Sequence, residues 1–175
     1  MLGASATDGR VFEIDERSRR PFTDAQLQGL SLLKHLHKLS IQGSPITDVG
    51  IGDLGEQAEL SWLALDSTKI TDKSMARIAK MQALKYLRLS NSQITDLGVA
   101  RISKLPRLES LCLDGTLITD GIAASVVQMK RLKYLKVDRT AVTLAGANAV
   151  WAASPTLSIY PYNPERATRL RARRK

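Results

Sequence analysis

The chain has 175 residues, 43% hydrophobic and only 5% aromatic, which suits one domain with an aliphatic core and argues against a disordered or fibrous chain. Its net charge is +9, but much of it sits in residues 164–175, where Arg166, Arg169, Arg171, Arg173, Arg174 and Lys175 face only Glu165, so the rest of the chain need not be a nucleic-acid binder. A single cysteine, Cys112, excludes an intrachain disulfide, and with neither an apolar leader nor a run near ~18 apolar residues the chain is expected to be cytoplasmic, without signal peptide or membrane span.

In chain order, residues 1–10 are read as an N-terminal extension. Phe12 and Ile14 in "RVFEID" predict a capping strand, followed by an insertion of about three residues before Thr23-Asp24. From there one phrase recurs. Thr47-Asp48, Thr71-Asp72, Thr95-Asp96 and Thr119-Asp120 follow at steps of 24 residues, and Thr143-Leu144 closes the series without its aspartate. A fixed period in the twenties marks a solenoid.

Within each repeat, two apolar residues stand two apart and share one face of a strand. These pairs are Leu39 and Ile41, Leu63 and Leu65, Leu87 and Leu89, Leu111 and Leu113, and Leu135 and Val137. Ile46, Ile70, Ile94, Ile118 and Val142 form a further buried column. The spacing then lengthens to three, as in Met75, Ile78, Met81 and Leu84 or Val99, Ile102, Leu105 and Leu108. That predicts a helical return, with the threonine as its N-cap. Ser44, Thr68, Ser92, Thr116 and Thr140 supply a hydroxyl at every turn, predicting bonds to buried turn backbone. Val150 and Trp151 sit on the last helix, Leu157 and Ile159 on a last strand, and Pro155, Pro161 and Pro164 stop further pairing. The tail at 161–175 is expected to leave the fold, as a disordered segment or a loosely held helix.

These phrases resemble the leucine-rich repeat family, in particular its short bacterial-type repeats of ~24 residues with an I-T-D phrase, related to those of F-box-type repeat proteins. The resemblance covers residues 11–160. It implies an α/β solenoid, or horseshoe, with a concave parallel β-sheet, convex helices, about five full repeats and capping strands. The family's usual asparagine after L-x-x-L-x-L is serine or threonine here. The resemblance also implies a non-enzymatic interaction module, and members are often part of larger multidomain proteins.

The outward strand positions form the concave face. One column reads Lys38, Trp62, Tyr86, Ser110 and Tyr134, and the next Ser40, Ala64, Arg88, Cys112 and Lys136. A third contains Asp66, Asp114 and Asp138. Aromatic anchors beside arginine and lysine suit a protein or peptide partner, and the aspartate row would repel a phosphate backbone. Trp62, Tyr86, Arg88, Tyr134, Lys136, Asp66, Asp114 and Asp138 are therefore the expected partner-binding residues of a monomer. The competing reading is a scaffold whose Arg169, Arg171, Arg173 and Arg174 bind nucleic acid or an anionic membrane surface; the basic helical residues Lys73, Arg77, Lys80, Arg101, Lys104, Arg107, Lys130 and Arg131 are read as a solvated face. Catalysis is not expected: His35 and His37 have no nucleophile beside them, and Cys112 lacks a base. No metal or other cofactor is expected either, since Asp114 and Asp138 lack His or Cys support.

Overall fold

In the computed structural model, the described residues are 3–7 and 10–15, by backbone only, and 21–161 apart from 34, 55 and 56. The arginine-rich tail lies outside the described residues from 162 onward. One sheet runs in the order β1-β2-β3-β4-β5-β6-β7-β8. Its strands are β1 (Gly3–Thr7), β2 (Arg10–Asp15), β3 (Lys38–Ser40), β4 (Trp62–Ala64), β5 (Tyr86–Arg88), β6 (Ser110–Cys112), β7 (Tyr134–Lys136) and β8 (Ser158–Tyr160). From β2 to β8 every pairing is parallel. Lys38 faces Trp62, Trp62 faces Tyr86, and the register repeats without slip to β8.

Each strand from β2 to β7 returns through a helix: α1 (Asp24–Gln28), α2 (Asp48–Asp53), α3 (Asp72–Ile78), α4 (Asp96–Ile102), α5 (Ala123–Gln128) and α6 (Leu144–Ala153). Short 3-10 turns follow α1 and precede α5. Parallel strands sit ~4.8 Å apart, whereas packed helices need about 8–10 Å. Stacking both in every repeat makes the strand side the inner wall, which is why the sheet is concave. The leucine and isoleucine columns fill the space between: Leu39, Leu63, Leu87, Ile46, Ile70 and Ile94 are fully buried in one continuous core.

At the N-terminal end the structure differs from the sequence expectation in two ways. Ile14, not Phe12, pairs with Leu39, so the insertion before Thr23 is one residue rather than about three. Within the stretch read as an extension, β1 pairs antiparallel with β2, with Thr7 opposite Arg10. Only Asp8-Gly9 separates these two, a dipeptide suited to a tight hairpin, and a parallel crossover would need many more residues.

The hydroxyl column bonds as expected. Thr68, Ser92, Thr116 and Thr140 donate to the carbonyls of Leu65, Leu89, Leu113 and Val137 at 2.5–2.7 Å, and Ser44 accepts from Phe22 N at 2.9 Å. The turn between strand and hydroxyl is left-handed at every repeat: Gly43, Ser67, Asn91, Gly115 and Arg139 have φ of 71°, 57°, 56°, 67° and 54°. The N–H groups of Gly43, Ser67, Asn91 and Gly115 continue the sheet ladder, as in Gly43 to Asp66 O at 2.8 Å and Asn91 to Asp114 O at 2.7 Å.

The aspartates form a second ladder that joins the repeats. Asp24 accepts from Thr47 N and Oγ1 at 2.9 and 2.6 Å. Asp48 does the same with Thr71, Asp72 with Thr95, Asp96 with Thr119 and Asp120 with Thr143, at 2.5–2.9 Å. Each of these threonines also accepts from an N–H of its own helix, so one hydroxyl caps a helix and clamps a neighbour. Gly50, Gly98 and Gly146 leave room for the incoming carboxylate, where a Cβ would strike Asp24, Asp72 and Asp120. Ser74 holds the same place in α3 and donates its hydroxyl and N–H to Asp48 instead.

Candidate partner-binding surface

The in-register strands set the outward side chains in straight rows across the concave wall. In the first row Trp62 and Tyr86 pack with ring centroids 5.0 Å apart and planes tilted by 34°. Lys38 Nζ lies 5.5 Å from the Trp62 ring centre, within cation–π range. Ser110 then interrupts the aromatic row before Tyr134. Tyr86 is 37% exposed and Tyr134 50%, while Trp62 is half-buried by its neighbours.

The charged row divides in the same way. Asp66 is only 6% exposed. Its Oδ1 accepts from Ser90 N at 2.8 Å, and its Oδ2 lies 2.7 Å from Arg88 Nε. That last contact is a close ion pair without hydrogen-bond alignment. Asp66 and Arg88 are therefore engaged with each other. Asp114 is half-buried and accepts from Asp138 N at 2.8 Å. Asp138 is exposed, 4.0 Å from Arg139, and Lys136 is exposed. The eight expected residues thus form a closed N-terminal cluster of Trp62, Tyr86, Asp66 and Arg88 and an open C-terminal one of Tyr134, Lys136, Asp114 and Asp138.

The open cluster lines a depression of ≈ 590 Å³ together with Ser110, Tyr160 and Pro161. Tyr160, 47% exposed, pairs in register with Lys136. The sequence reading missed it by ending the columns at the fifth repeat; one more step of 24 from Lys136 would have reached it.

Burial pushes the Cys112 thiol above its ordinary range, against the opposing pull of Lys136 and Arg88, which disfavours the nucleophilic thiolate. His35 Nδ1 lies 3.1 Å from Glu59 and His37 Nε2 3.4 Å from the same carboxylate. Among the described residues no group of three or more His, Cys, Asp or Glu side chains is arranged to hold a metal ion. Lys133 holds Glu109 at 2.7 Å, and this hydrogen bond lowers the carboxyl and raises the ammonium from their ordinary values. Of the basic helical residues, Lys73, Lys80, Arg101, Lys104, Arg107, Lys130 and Arg131 are exposed and Arg77 is half-buried. Among the described residues no helix is long and apolar enough to cross a membrane.

Models of the leucine-rich repeat match residues 58–118 and 33–55. No curated protein matches the chain by sequence. Similar solved structures include an internalin (inlF) from Listeria monocytogenes, with a TM-score of 0.61 and 19% identity over 78% of this chain and 37% of that one. A leucine-rich repeat protein from Leptospira interrogans has a TM-score of 0.58 and 24% identity, over 75% of this chain and 33% of its own. A second Listeria internalin (inlC2) has a TM-score of 0.53 and 18% identity over 82% and 78% of the two chains. This chain thus spans about a third of the length of the first two.

Proposed function

This chain is a leucine-rich repeat protein, and on that premise we propose that it is a protein-interaction module that receives a protein or peptide partner on its concave face. Folds of this class generally serve protein–protein interaction. The observation that carries the reading is the pair of tyrosines exposed on the in-register wall: Tyr134, and Tyr86 to a lesser degree, project from strands whose inward neighbours are buried. Rigid aromatic side chains lose little conformational freedom on binding, and desolvating them supplies affinity. Trp62 packs beside Tyr86 from the neighbouring strand, and Lys136, Asp114 and Asp138 add directional charge. No catalytic step is assigned to any residue.

The test is capture of partners from cell extract at about 300 mM salt, where exposed charge pairs are strongly screened. A protein retained by the intact chain and lost by the Tyr86→Ala/Tyr134→Ala variant supports the concave face. Equal retention by both chains sinks the reading and turns attention to the exposed cations of the helices.

A further inference from the structure

The concave wall carries one arrangement twice, two repeats apart, closed in the first copy and open in the second. In the first, Asp66 accepts from the strand-end N–H of Ser90 and Arg88 lies on its other oxygen. The equivalent positions two repeats on hold Asp114 and Lys136, and Asp114 likewise accepts from Asp138 N. Here the cation does not close on the carboxylate: among the described residues Lys136 makes no ion pair. The next strand offers Tyr160 where a cation could have reached Asp138. The outcome is the depression walled by Tyr134 and Tyr160 with Asp114 and Asp138 at its side.

We propose that this depression receives a single arginine side chain of a partner peptide, its guanidinium set against the Asp114 and Asp138 carboxylates and the Tyr134 and Tyr160 rings. The proposal rests on the concave face being the binding surface. Arg88 on Asp66 shows the same ion pair made internally, and a partner's guanidinium completes the copy that the chain leaves open. Arginine fits better than lysine because its planar group stacks on tyrosine while its N–H fork meets carboxylates. Lys136, in the same depression, favours an acidic residue beside that arginine and repels a polybasic run. The occupant is therefore a partner segment pairing arginine with an acid.

The experiment titrates the full chain with acetyl-Arg-Glu-amide and follows backbone amide signals by NMR. Shifts should concentrate at Ser110, Asp114, Tyr134, Asp138 and Tyr160, with half-saturation on the order of millimolar for so small a ligand. Asp138→Asn, at an exposed side chain, should weaken binding by roughly fivefold or more. Acetyl-Lys-Glu-amide and acetyl-Arg-Arg-amide should both bind less well. The proposal is overturned by no local shifts up to ~20 mM peptide, by equal binding of the lysine peptide, or by shifts indifferent to Asp138→Asn. It is also overturned if binding appears only after Arg166, Arg169, Arg171, Arg173 and Arg174 are changed to glutamine, because the chain's own tail is then the occupant. A captured partner that depends on Tyr86 and Tyr134, with no arginine-peptide binding, overturns this inference alone and leaves the concave-face reading standing.

Discussion

Asp72 shows how much one side chain of the repeat phrase does. It begins α3, where a carboxylate suits the positive end of the helix. It also accepts two hydrogen bonds from Thr95 of the next repeat, at 2.9 and 2.6 Å. Gly98 has no Cβ where Asp72 passes. Removing the carboxylate leaves a part-buried N–H and hydroxyl of Thr95 without their acceptor, and bonds to charged groups are the stronger kind. Asp72→Ala should therefore cost about 2 kcal/mol, read as the shift in urea midpoint at unchanged slope. A change within error of zero would mean that water replaces the carboxylate freely and the ladder contributes nothing. The threonine's capping role was legible from sequence because it is local. The aspartate's partner was not, because it lies in the following repeat, and only the structure shows the two in contact. The series nevertheless carried a trace of it: the aspartate is absent at Leu144, where no further described repeat supplies a threonine.

At the scale of elements, the last repeat shows how the stack ends. α6 presents Trp151 to the interior, and its Nε1–H donates to Leu157 O at 3.2 Å. This fixes the approach to β8, whose Tyr160 carbonyl accepts from Val137 N at 2.8 Å. Solenoid stability is close to a sum of repeat and nearest-neighbour terms, so a fault here should stay local. Trp151→Phe keeps an aromatic ring but loses the donor. Hydrogen exchange at Val137 and Ser158 should then accelerate by roughly tenfold, the equivalent of one lost hydrogen bond. Exchange at Leu63 and Leu65, several repeats away, should be unchanged. Uniform acceleration across the chain would show instead that the molecule opens as a single unit. Trp151 and the final strand were legible from the period, as were the inward leucine columns, since one residue out of step would turn a strand's apolar face to water. The hairpin of β1 on β2 escaped because it lies outside the period, and its signal is one Asp-Gly dipeptide.

Across the whole molecule, the parallel sheet, the helical returns and the face carrying the aromatic row could be placed from spacing alone, because a strict period converts sequence position directly into a row on the wall. Exposure within a row could not. Asp66 and Asp138 are equivalent by count, yet one is buried on Arg88 and the other is open, since the difference rests on which neighbour can reach across. The same regularity makes the inter-repeat ladder a collective property with a pH signature. Burial pushes the Asp48 carboxyl upward, but hydrogen bonds from Ser74 and Thr71 outweigh it and hold the group below its ordinary value. At Asp120 the Thr143 N–H and hydroxyl do the same. A carboxylate lowered in the folded state contributes stability above its unfolded pKa, near ~3.9, and loses it as pH falls through the folded value. The melting temperature should therefore vary little with these groups from about pH 7 to 5 and fall below about pH 4. Thermal melts of the Asp48→Asn/Asp120→Asn variant, already weaker at neutral pH, should decline less steeply over that acid range. Parallel declines in the two proteins would locate the acid sensitivity in other carboxylates, with the Lys133-paired Glu109, also lowered, as the next residue to replace.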